Sequence, residues 1–173
     1  MPVIHADFIA AAAGGFEPQR VNNYTLRLVP PGGDNKLFQQ SLRAFPFPKR
    51  ETAIGRIPFV NEERKFPLKT TFPECDLVVE DYVDKGVAKM FEDWYTRVFD
   101  PNTGKVGLCS AIKVNGDLVL YGPDGTKERT WRLIGVWPSK LNLGDGDYDR
   151  ADVNRITVTL TIDLVIPVTT QAA

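Results

Sequence analysis

The chain carries one histidine, His5, among its 173 residues. His5 stands in an N-terminal stretch expected to be mobile, so no Ser-His-Asp or Cys-His set and no histidine metal cluster is expected. There are two cysteines, Cys75 and Cys109, far apart in sequence. They make neither a disulfide framework nor a CxxC metal clip, and they read as buried apolar residues of a reduced compartment. Long hydrophobic runs are also missing. The N-terminal run Phe8 to Ala13 is far shorter than the ~20 residues a membrane span needs, and no basic segment precedes it as in a secretory signal. Neither a GxxxxGK[ST] loop nor a GxGxxG turn after a strand occurs. The formal charge is −1, from 21 Lys and Arg against 22 Asp and Glu. That balance argues against a dedicated duplex-DNA binder, which needs a basic stripe.

What is present is ordinary for a globular protein: 43% hydrophobic and 25% charged residues. The length suits one domain over 1–173, with an N-terminal arm at 1–15 and a C-terminal tail at 167–173. The 14 glycines and 13 prolines mark many turns, hence many short elements. Asp145, Asp147 and Asp149 suggest a calcium loop, but Arg150 and Ile156 stand where an EF-hand needs Gly and Glu, so a solvated turn is expected. Glu80 and Asp81 are adjacent and would point to opposite faces of a strand, which makes them poor acid–base partners. Phe45, Phe47, Lys49 and Arg50 are the nearest approach to a single-strand nucleic-acid site, yet the prolines among them favour a contact loop. No catalytic residue, metal site or cofactor site is expected.

Charge is unevenly spread. Residues 1–72 hold ten basic and six acidic side chains, residues 73–100 three and eight, and residues 101–173 eight of each. The acidic block reads as a solvated segment or as a surface that does not hold an anion.

Tyr24, Leu26 and Leu28 alternate with polar residues as in a half-buried strand, stopped by Pro30-Pro31-Gly32-Gly33. A second strand is expected over 37–45. Residues 47–64, with Gly55 and two prolines, predict a long protruding loop or irregular hairpin. Phe66, Leu68, Thr70 and Phe72 alternate, and Leu77 and Val79 mark another strand. Val87, Met90, Phe91, Trp94, Tyr95 and Val98 recur at helical spacing on one apolar face, with Asp84 as the expected N-cap and Asp100-Pro101 as the stop. Val87, Phe91, Trp94 and Val98 are the expected core of this helix. Asn115-Gly116 and Gly122-Pro123-Asp124-Gly125 read as turns. One long final strand is expected, with Ile156, Val158, Leu160, Ile162, Leu164 and Ile166 on one face and Thr157, Thr159, Thr161 and Asp163 on the other. The fold class is mainly β with one α-helix: two packed sheets, a sandwich or open barrel, with the helix against them.

The order of features resembles a known family. The first strand opens with Phe16-Glu-Pro-Gln-Arg20-Val-Asn22-Asn-Tyr24. Phe45-Pro46 leads into the long loop. The helix holds Phe91-Glu-Asp-Trp94 and runs into Phe99-Asp-Pro-Asn-Thr-Gly104. Trp131-Arg-Leu-Ile-Gly135-Val-Trp137-Pro138 follows, then the long strand. Over about residues 16–166 the chain is similar to tail tube proteins of contractile-tailed bacteriophages, which are related to the tube proteins of tailocins and type VI secretion.

The resemblance implies a non-enzymatic virion protein. Hexameric rings would join their sheets into a continuous barrel, with four strands from each of six subunits, and stack into a hollow tube that conducts genome DNA. Implied partners are the sheath outside, baseplate and tail terminator proteins at the ends, and tape measure protein and DNA in the lumen, without sequence-specific binding and without a membrane. The implied location is the virion tail, assembled in the host bacterial cytoplasm. Arg50, Glu51, Arg56, Glu62, Glu63 and Arg64 in the long loop are the inter-ring contact candidates. Thr157, Thr159, Thr161 and Asp163 are the lumen candidates, in a bore where carboxylates are expected to outnumber Lys and Arg so that phosphates are not gripped. Tube proteins of other contractile injection systems, and tube-terminating or baseplate subunits on the same fold, remain alternatives. A monomeric ligand-binding β-barrel is the rival from another class.

Overall fold

A computed structural model describes residues 18–146, 148–149 and 151–168. His5, the run from Phe8 to Ala13, the arm at 1–15, Phe16, Asp147, Arg150 and the tail beyond 168 lie outside the described residues. The elements in chain order are β1 (Tyr24–Leu28), α1 (Asn35–Ser41), β2 (Leu42–Ala44), β3 (Glu51–Phe59), β4 (Glu62–Thr71), β5 (Cys75–Glu80) and α2 (Val87–Val98). There follow β6 (Phe99–Asp100), β7 (Lys105–Val106), α3 (Cys109–Ile112), β8 (Val114–Tyr121), β9 (Lys127–Asn142), β10 (Arg155–Thr161) and β11 (Leu164–Val168).

Two antiparallel sheets share the sixteen-residue strand β9. The first runs β1-β8-β9-β11 and the second β9-β10-β5-β2. Leu26, Leu28, Leu118 and Leu133 of the first sheet meet Leu77, Val79, Ile156, Val158 and Leu160 of the second in one core, with Phe38, Phe91 and Trp94 from the helices. The architecture is thus mainly β, two packed sheets that do not close into a barrel within the subunit.

Several local expectations are corrected. Residues 35–41 are helical, not part of a strand: Asp34 caps the turn by accepting the Lys36 N–H at 2.9 Å, and Phe38 and Ser41, three apart, face the core. Two short helices therefore join the long one. α2 starts after Gly86 at φ 70°, two residues past the expected cap Asp84, which itself sits at φ 62°. Val87, Phe91 and Trp94 are buried, whereas Val98, in the last turn, is half-buried. Asn115 and Gly116 lie inside β8 rather than in a turn, and the Asn115 side chain accepts the Gly135 N–H at 3.0 Å. Cys75 is half-buried and Cys109 is exposed, so only the first approaches the apolar role expected of both.

The long final strand is two strands. β10 pairs with the C-terminal half of β9 and β11 with its N-terminal half. Between them Ile162 and Asp163 bend the chain, and the alternation slips: Val165 is buried while Leu164 and Ile166 are 43% and 41% exposed. The bend is held where β9 itself turns, at Gly135 (φ 68°): Asp163 N–H donates to the Ile134 carbonyl at 3.1 Å, and Lys113 Nζ meets the Asp163 carboxylate at 2.5 Å.

Candidate functional site: a projecting hairpin, a groove and a polar sheet face

The segment at 47–64, expected as a long protruding loop or irregular hairpin, is from Glu51 onward an antiparallel hairpin that runs on to Thr71. β3 pairs with β4 from Glu51↔Thr71 to Phe59↔Glu62, with one register shift between Thr52 and Ile54. The connection is only Val60-Asn61, and Val60 has φ 55°. Such two-residue turns close hairpins tightly, but a β-branched residue at positive φ is strained. Of the nine residues of β3 and ten of β4, Gly55 alone is buried. An isolated two-stranded hairpin is marginal in water, so packing from elsewhere is needed to hold it.

Cross-strand register sorts its side chains. Gly55, Ile57 and Phe59 share a face with Phe66, Arg64 and Glu62. On this face a side chain at Gly55 would run into the Phe66 ring, and the Arg64 guanidinium lies 4.4 Å from the centre of Phe59. Arg56 and Glu63 lie on the opposite face and approach to 3.8 Å while both stay largely exposed. Arg50 precedes β3 and Glu51 opens it. The hairpin thus collects all six charged contact candidates. Reasoning from charge missed what stands beside them: Ile54 (61% exposed), Ile57, Phe59, Leu68 and Val60 (90%). In sequence Ile54, Ile57, Phe59 and Val60 fell within the expected loop or irregular hairpin, and Leu68 within an alternating strand.

At the hairpin's root, Phe47 stacks near Tyr24 (6.2 Å) and Trp131 (6.0 Å), which ties the base to the first sheet. Beside it opens a groove of 460 Å³ floored by Phe45, Phe47, Phe72, Cys75, Ile162 and Val165. Lys49, Glu74 and Asp76 also line it. Burial, with Asp76 and Glu74 nearby, pushes the Cys75 thiol up to about 11.

The outward face of the second sheet is polar. Thr157, Thr159 and Thr161 alternate there, half-buried, and lie beside Val78, Asp76, Asn142, Lys140 and Trp137 of the flanking strands. Thr159 donates to Asp76 at 2.7 Å, Lys140 reaches Glu74 at 3.5 Å, and Arg43 meets Glu80 at 2.5 Å. The Arg43 hydrogen bond holds the Glu80 carboxyl below its ordinary value. Asp163 is not with the threonines: it sits at the bend, paired to Lys113. Arg43, Lys140 and Arg155 equal Glu74, Asp76 and Glu80 in number, so the face is neutral rather than acidic. The outward face of the first sheet is mixed: Ile134, Leu164, Ile166 and Val168 share it with Thr25, Arg27, Asp117, Thr130 and Arg132. Among the described residues no group of three or more His, Cys, Asp or Glu is placed to hold a metal ion.

No protein-family model and no curated protein sequence matches the chain. Solved structures do. A chain of the anti-feeding prophage baseplate, reconstructed with six-fold symmetry, superposes with a TM-score of 0.68 at 12% identity, over 91% of this chain and 100% of that one. A chain of the sheath-tube complex of the PVC extracellular contractile injection system in its extended state gives 0.64 at 17% identity, over 92% and 97%. The tube-terminating cap of the anti-feeding prophage gives 0.65 at 17% identity, over 98% and 100%. At such identities the likeness establishes a shared fold, one found in tube, baseplate and cap assemblies of contractile injection systems.

Proposed function

We propose that the chain is the subunit of a hollow tail tube, with six copies per ring and rings stacked into a conduit. The observation that carries this reading is the β3–β4 hairpin, nineteen strand residues long, almost wholly exposed and studded with apolar side chains that no described residue of its own subunit covers. Exposed apolar area of this kind marks an interaction surface. The shared fold with components of contractile injection systems supports the same reading.

Ring formation follows from the sheets. Among the described residues the edges at β1, β2 and β11 are open and invite pairing between copies, and a ring removes edges that would otherwise template aggregation. The second sheet lines the bore. Its four strands present threonines and charge pairs to water, whereas the first sheet's outward face sets Arg27 and Arg132 against the carboxylate of Asp117, among Ile134, Leu164, Ile166 and Val168. Thr157, Thr159 and Thr161 are then lumenal, and Asp163 lies at the margin. With Arg43 and Lys140 occupied by carboxylates, the wall offers DNA phosphates few unpaired cations. Arg50, Glu51, Arg56, Glu62, Glu63 and Arg64 on the hairpin supply complementary charge between adjacent rings.

The chain is a structural, non-enzymatic component of a bacteriophage virion tail, assembled in the host cytoplasm. Sheath surrounds the tube, baseplate and terminator proteins close its ends, and tape measure protein and genome DNA occupy the lumen. The likeness to the prophage cap over 98% of the chain favours one second reading, a tube-terminating subunit. Negative-stain microscopy of the purified protein tests both. A tube subunit gives rods of open-ended length, a terminator gives rings only, and a field of 19.3 kDa monomers overturns both.

A further inference from the structure

Resting on the tube reading, we propose that the hairpin tip of one copy, Phe59 and Val60, seats in the groove beside the hairpin root of another copy. The groove's floor is aromatic and aliphatic, and its volume of 460 Å³ suits two side chains of this size. A hairpin tip cannot reach the groove at its own root. β3 extends nine residues away from that root, roughly 30 Å at ~3.3 Å per residue.

The tip is built for presentation. Val60 is 90% exposed at φ 55°, a conformation that disfavours a β-branched residue and that glycine would adopt freely. Strain of this kind persists at sites where the side chain has a use. The charges match as well. Arg64 and Glu62 flank Phe59 at the tip, and the groove is lined by Glu74, Asp76 and Lys49, so both signs of charge stand on each side. Tip and groove are different patches of one surface, so the contact is head-to-tail and propagates into a ring or a filament.

Cys75 in the groove floor makes the pairing measurable. Val60→Cys is made in a Cys109→Ser background, particles are inspected by microscopy, and they are treated with copper–phenanthroline, which drives oxidation of a thiol that burial keeps protonated. The expected result is a ladder of reducible multimers of 19.3 kDa, abolished by adding Cys75→Ser. Intact particles without the ladder overturn the pairing and leave the tube reading standing. Failure of the unmodified protein to form any particle overturns both. A second variant guards against misfolding of the first. Val60→Gly relieves the positive φ, so the dissociated subunit should melt no lower than the parent while its assembled fraction falls at least tenfold. Unchanged assembly by Val60→Gly contradicts the anchor.

Discussion

The Phe66 ring occupies the space over Gly55 on the facing strand of the hairpin, where any side chain at position 55 would have to stand. This aromatic cover over a glycine is what gives the hairpin its one buried residue. Gly55→Val should push Phe66 aside. Because the hairpin packs on little else in its subunit, the melting free energy should change by less than about 1 kcal/mol. Assembly, followed by sedimentation, should fall sharply.

Trp94 is fully buried, and its indole N–H donates to the Ile112 carbonyl at 2.8 Å, which joins α2 to α3. Trp94→Ala should cost ~3–5 kcal/mol in urea denaturation. Trp94→Phe keeps most of the apolar volume but strands that carbonyl, for about 1–3 kcal/mol. A loss below about 1 kcal/mol for the alanine variant would remove Trp94 from the core.

Gly135 combines φ 68° with the Asp163 carboxylate in the place of its missing side chain. Gly135→Ala should therefore destabilise by at least ~1–2 kcal/mol, the left-handed penalty, with the clash against Asp163 added. Gly125, at φ 84° but with open space around it, should lose only the conformational part on the same substitution. Parallel urea curves for the two variants measure the difference.

Three carboxyls are held below their ordinary values: Glu80 by Arg43, Asp100 by the Thr103 hydroxyl and Asp124 by the Thr126 hydroxyl. A lowered folded value means that the unfolded chain takes up protons first. The stability each contributes is complete above the unfolded carboxylate range, about 3.9–4.3, and is lost as pH falls through the lowered folded value. Glu80→Gln should flatten the fall of melting temperature with pH below that range and leave the neutral-pH limb parallel to the parent.

If the second sheet lines the bore, Thr157→Lys with Thr161→Lys places two unpaired cations per subunit on the wall. DNA release from assembled particles should then slow, and added salt should restore it. Release as fast as in the parent, at low salt, would take the threonine face off the lumen.

Some of this was legible in the residues. α2 showed itself because twelve residues give three turns of period, enough to separate a core face from a wet one. α1 did not: seven residues give two turns, and Phe38 and Ser41 read equally well as parts of a strand. The break between β10 and β11 depends on Gly135 and Lys113, which lie far from Asp163 in sequence, so the local alternation runs on past the bend without a signal. The hairpin posed a different problem. Alternating Phe66 and Leu68 look the same whether they pack inside the subunit or wait for another copy, and only the fold shows them exposed among the described residues. The groove joins residues 44–49, 72–76, Ile162 and Val165, an assembly no local pattern announces.

Native mass spectrometry of the purified protein under gentle conditions counts subunits and so tests the six-copy ring itself. A closed species of six times the 19.3 kDa subunit mass, alone or in integral stacks, is expected, and replacing residues 51–71 by a short turn should remove the stacks while leaving the single ring. A spectrum that shows only the 19.3 kDa monomer at every concentration would contradict the six-copy ring.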